Sequence, residues 1–129
     1  MSKRKPILCL DFDGVIHSYT SGWSGAAIIS DPPVRGALDF LVVAHKHFNV
    51  QIYSSRSSQP GGIEAMQEWL QYCLEEHAPE INVIELVYKH IKWPISKPPA
   101  MVTIDDRALT FNGTWPPISD LLNFKPWNK

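Results

Sequence analysis

A chain of 129 residues with 12 basic and 13 acidic side chains, formal net charge -1, is long enough for one hydrophobic core and leaves little material for a second. Near-neutrality excludes a general attraction to nucleic acid or membrane surfaces, so any anion must be held by a local group of side chains. Hydrophobic residues make up 44%, an ordinary globular share, and no apolar run approaches the roughly 18 residues of a membrane span. The basic start, Met1 to Pro6, is followed by four apolar residues and then Asp11, which is no signal segment, so an intracellular, cytoplasmic protein is expected. Cys9 and Cys73 occupy apolar positions and are expected as reduced core residues, not a disulfide.

Residues 7–11 predict a buried strand that delivers two carboxylates, Asp11 and Asp13, into a glycine turn at Gly14. A Gly- and Ser-containing segment to Pro33 follows, with Gly22-Trp23-Ser24-Gly25 suggesting a hairpin or loop. Asp31-Pro32-Pro33 reads as a helix start, and Val34, Ala37, Leu38, Leu41, Val42, His45 and Phe48 then share one helical stripe ending near Asn49. Residues 50–53 form a second strand running into Ser54-Ser55-Arg56. After Gly61-Gly62 a second stripe, Ile63, Met66, Leu70, Cys73, Leu74 and His77, is stopped by Pro79. Residues 81–87 are expected as a third strand, 89–99 as a proline-broken loop, and 101–104 as a fourth strand ending at Asp105-Asp106. The segment around Trp115-Pro116-Pro117 and Leu121-Leu122 carries no clear signal.

Short apolar strands alternating with amphipathic helices predict an α/β fold with a parallel sheet covered on both faces, in which ligands bind beyond the carboxyl ends of the strands. Asp11, Asp13, Ser54, Asp105 and Asp106 all fall at or just past such ends. Two carboxylates as close as Asp11 and Asp13 repel each other unless a cation lies between them or one holds a proton.

These segments, in this order, resemble the haloacid dehalogenase superfamily of phosphotransferases, from Ile7 to about Trp115. Asp11-Phe12-Asp13-Gly14-Val15 is similar to its first motif, Ile52-Tyr53-Ser54-Ser55-Arg56 to its second, Lys97 to its third, a place that spacing would equally allow Lys92 or Lys89, and Val102-Thr103-Ile104-Asp105-Asp106 to its fourth. The resemblance implies a three-layer α/β/α sandwich, a single Rossmann-like domain with a short hairpin flap. It also implies a Mg2+-dependent phosphatase working through an aspartyl-phosphate. Asp11 would be the nucleophile; Asp13 would hold the transferable proton and act as acid and base. Ser54, the Ser55 amide and Lys97 would bind and neutralise the phosphoryl oxygens. Asp11, Asp105, Asp106 and the main-chain carbonyl of Asp13 would hold Mg2+. An acid at position 13 favours phosphate ester hydrolysis, because relatives that cleave other bonds lack it.

The short spans between motifs leave no room for a cap domain, so the site is expected to be open. Arg56 and Arg107 directly follow the second and fourth motifs and can pair with phosphate. Together with Phe111 and Trp115 they resemble the phosphatase half of phage polynucleotide kinases, which implies 3'-phosphate ends of nucleic acid as substrate. Trp23 reads as a base-stacking side chain or as a lid on the core. The alternatives are a small-molecule phosphatase, acting on nucleotides or sugar phosphates and completed by a homodimer partner, and a non-catalytic module of the same fold. His17 reads as a phosphate contact or as a histidine satisfying backbone groups. His45, His47 and His77 read as structural, and residues 89–93, Lys-His-Ile-Lys-Trp, as a solvated loop or, with bases beside an aromatic, as a contact for an anionic strand.

Overall fold

The computed structural model describes residues 4–129; of the basic start, positions 1–3 lie outside the described residues. Strands β1 (Ile7–Leu10), β2 (Asn49–Ile52) and β3 (Val102–Ile104) form a parallel sheet in the order β2-β1-β3, with β1 central. The register sets Leu10 opposite both Ile52 and Ile104, so all three strands end at one level. The helices are α1 (Ala37–Ala44), α2 (Gly62–His77), α3 (Val83–Glu85) continuing as a π-helical turn, Leu86–His90, and α4 (Ile118–Leu122). No helix among the described residues is long and apolar enough to cross a membrane.

The core joins Leu8 and Leu10 of β1 and Val50 and Ile52 of β2 to Leu38 and Leu41 of α1 and Met66, Leu70 and Leu74 of α2. The α2 residues recur every four positions, one helical face, and each fully buried side chain of this kind contributes about 1.5–3 kcal/mol. Cys9 and Cys73 are free thiols, the first buried and the second half-buried. At the start of α2, Gly62 presses against the Arg56 carbonyl, where a Cβ would overlap the oxygen.

The structure corrects three sequence expectations. Residues 81–87 are helical, not a strand. Asn82 accepts a hydrogen bond from the Glu85 amide (3.0 Å) and its amide reaches back to the Glu85 carboxylate (3.2 Å). Asn82 is thus the side-chain N-cap of this turn, and the buried residues Val83, Leu86 and Val87 keep helical spacing. The place beside β2 is taken by Lys92 alone, which bridges to Gln51.

The first helix begins only at Ala37, because Asp31 turns its carboxylate to the Ser21 amide and hydroxyl and does not cap a helix. The flap over residues 14–33 is an irregular loop, not a hairpin. It carries single bridges from His17 to Asp13 and Pro33, and the carbonyls of Gly25, Ala26 and Ile28 bond to the Arg56 side chain where a second strand would have been. At the β3 edge of the sheet Val102 and Ile104 are exposed, as are Ile118, Leu121 and Leu122 of α4.

Candidate active site

Because β1 and β3 end in register, the residues that follow them are neighbours: the Asp11 amide donates to the Ile104 carbonyl at 3.0 Å, and Asp105 comes next. Asp11, Asp105 and Asp106 each present a carboxylate oxygen, all within 4.8 Å of one another. Asp106 is seated by Gly14, whose φ of +81° turns the chain back. A Cβ at that position would overlap Asp106 Oδ2 and lie 2.7 Å from its carboxyl carbon.

Three carboxylates converging in this way is an electrostatically strained arrangement. Burial, reinforced by the charge of Asp105 and by a hydrogen bond with Asp106, pushes Asp11 up to about 8, although the Phe12 amide, which donates to Asp11 Oδ1 (2.8 Å), works the other way. Asp106 Oδ1 is buried with no hydrogen-bond partner among the described residues. An orphaned buried acceptor inside a group of oxygen donors fits a hard divalent cation, which would relieve both the repulsion and the unmet acceptor.

A measurable consequence follows from the proton on Asp11. Binding of a divalent cation to the metal-free protein at neutral pH should release about one proton, read by calorimetry in buffers of different ionisation enthalpy. Affinity should rise with pH and level off above about 8. Binding that releases no proton would mean that Asp11 is already ionised.

Asp13 stands apart from this group. Its Oδ1 accepts from His17 Nδ1 (2.9 Å) and its Oδ2 from Arg56 Nε (2.9 Å). Burial raises its pKa, but the hydrogen bonds from His17 and Arg56 and the Arg56 charge outweigh that and hold it below the usual carboxylate range. In the metal-free site the two acids are therefore pushed in opposite directions, Asp11 up by burial and Asp13 down by His17 and Arg56. Arg56 itself is fully buried. Its Nη1 donates to the carbonyls of Gly25, Ala26 and Ile28 at 2.9–3.0 Å, and Trp23 lies under the guanidinium at 4.8 Å. Arg56 thus clasps the loop and Asp13 from behind, and Trp23, half-exposed, covers the clasp.

The remaining expected site residues are placed as follows. Ser54 is buried at the end of β2, and its Oγ accepts from the Arg56 amide (3.1 Å). The Ser55 amide donates to no protein group among the described residues, and the residue is exposed. Lys97 is exposed and belongs to no ion pair among the described residues, but it is near enough to Cys9 to act on its thiol together with Asp11 and Asp105. Arg107 is exposed with its amide on Asp105 Oδ1 (2.8 Å), a turn that fixes the Asp105 side chain. The rings of Phe111 and Trp115 pair with each other, 4.8 Å between centroids.

Sequence reading missed the end of the chain. Trp127 Nε1 donates to the Gly14 carbonyl (2.8 Å) and Asn128 to the Ser18 carbonyl (3.0 Å), so residues far away in sequence fasten the loop after the first acids. No local pattern announces such a contact. No protein-family model, no curated protein and no solved structure matches the chain.

Proposed function

We propose that the chain is a phosphate monoester hydrolase of the haloacid dehalogenase type, built as a capless three-layer sandwich around this sheet. The observation that carries the proposal is the meeting of Asp11, Asp105 and Asp106 at the carboxyl ends of adjacent parallel strands, with Asp13 held separately two residues on. Asp11, Asp105, Asp106 and the Asp13 carbonyl would hold Mg2+. When bound, it would neutralise the phosphate charge that otherwise repels an anionic nucleophile.

Asp11 Oδ forms the new bond to phosphorus as the ester P–O bond breaks, and the departing oxygen takes a proton. Water then cleaves the aspartyl-phosphate, its proton passing to Asp13. A carboxylate at Asp13 suits this second step directly. For the first step it must gain a proton beforehand, and a monoanionic phosphate monoester brings one. The free Ser55 amide and Lys97 are suited to the phosphoryl oxygens.

The test is hydrolysis of an aryl phosphate with Mg2+. Activity should vanish on chelation and return with added Mg2+, and activity that survives chelation overturns the proposal. On substrate, the exposure of Asp105 and Arg107 supports access for phosphates at nucleic acid 3' ends, and 3'-phosphorylated oligonucleotides should be hydrolysed faster than free nucleotides. The opposite ranking would favour the second reading, a small-molecule phosphatase closed by another subunit. The exposed apolar side chains Ile104, Phe111, Trp115 and Leu122 support that reading.

A further inference from the structure

His17 is almost wholly buried, and both its ring nitrogens are engaged: Nδ1 meets Asp13 Oδ1 at 2.9 Å and Nε2 meets the Asp31 amide at 3.1 Å. A backbone N–H can only donate, so Nε2 must be the acceptor and the ring proton must sit on Nδ1, where it is given to Asp13. The charged and titratable groups facing the ring are Asp13, Asp31, whose Oδ2 is 3.7 Å from Nε2, and Tyr19. Phe12 and Trp69 close it in, with ring centroids 5.6 and 5.4 Å away. Asp31 is held in turn by the Ser21 amide and hydroxyl, and its carbonyl accepts from Trp69 Nε1 at 3.1 Å.

We propose that His17 is a positioning residue, locked as the Nδ1–H tautomer by the Asp31 amide, through which the seating of the 14–33 loop orients Asp13. The loop is read at two points. Its end reaches Asp13 through Asp31 and His17; its middle reaches Asp13 through the three carbonyls on Arg56. A loop that lifts away loses the acceptor lock on His17 and the carbonyl anchors of Arg56 together, and Asp13 is then free to turn. The part of this inference that concerns catalysis rests on the function proposed above; the tautomer and the contact do not.

Nitrogen-15 spectra of the imidazoles in the metal-free protein test the lock directly. His17 should show a protonated Nδ1 and an unprotonated Nε2, and its Nδ1–H resonance should move upfield in Asp13→Asn, which removes the charged acceptor. An Nε2–H tautomer, or a resonance indifferent to that substitution, overturns the inference whether or not the protein is a phosphatase.

The kinetic arm uses two replacements. Asn places an amide near Nδ1 and can still donate to Asp13, whereas Gln reaches only the Nε2 position. Of the roughly 10²–10⁴-fold supplied by a positioned acid/base, His17→Gln should lose at least about tenfold in kcat with KM little changed, and His17→Asn should recover most of it. Equal losses in the two variants, tracking their melting temperatures, would make His17 a packing residue only. Absence of any phosphatase activity in the unmutated protein would sink the proposed function and leave the spectroscopic result to decide the tautomer lock.

Discussion

Asp11→Asn is expected to reduce turnover of an aryl phosphate by at least about 10³-fold while leaving the fold intact, because the amide cannot form the aspartyl-phosphate. The same substitution should stabilise the metal-free protein above about pH 8. In the fold Asp11 holds its proton up to about 8, against 3.8 for the unperturbed group, so the folded state binds that proton more tightly than the unfolded chain does. Its contribution is complete below the unfolded value, declines as pH rises from there, and is gone above the folded value. Asn carries no such dependence. Allowing for the partial solvent exposure of the site, the gain at alkaline pH is on the order of 2 kcal/mol, or roughly 5–10 °C in Tm. Thermal melts of both proteins in chelator at several pH values measure it. Identical pH profiles would show that Asp11 is not the group holding the proton, and undiminished turnover would remove it as nucleophile.

Gly14→Ala is expected to damage the site without touching a carboxylate. The added methyl falls where the Asp106 carboxylate lies, and the backbone there has φ +81°. The conformational penalty alone is about 1 kcal/mol, and displacement of Asp106 adds to it. Affinity for a divalent cation should fall by about 10–100-fold, the range seen when the support of a metal ligand is lost. Gly36→Ala is the matched control. It has a similar φ of +86° with nothing within 4 Å of its Cβ, so it should show the backbone penalty and unchanged cation affinity. Cation titrations of the two variants separate the effects. Equal affinities would mean that Asp106 can move aside and still serve, or that it does not serve at all.

Much of this site is legible in local pattern. The apolar run before Asp11 and the Val102-Thr103-Ile104 run before Asp105 are short and lead into turn residues, so strand and strand end could both be read from them, and parallel pairing in register then made the acids neighbours. The α2 stripe was equally plain, with an apolar side chain every four residues and a proline beyond it. Misreadings occurred where two local signals compete. Residues 81–87 were expected as a strand, while Asn82, three residues before Glu85, capped a helix. Asp31 before two prolines suggested a helix cap, and Ser21, ten residues earlier, claimed its carboxylate.

What the sequence by itself determined is which acids stand at the carboxyl edge of the sheet, because strand periodicity and turn chemistry are properties of neighbouring residues. What only the tertiary structure decided is how those acids are charged. Burial and two acids from the far end of the chain push the Asp11 pKa up. Arg56, forty-three residues away, and His17 give Asp13 two hydrogen bonds that hold its pKa down. Protonation depends on the local field and on solvent access, and both are set by residues that only folding brings together.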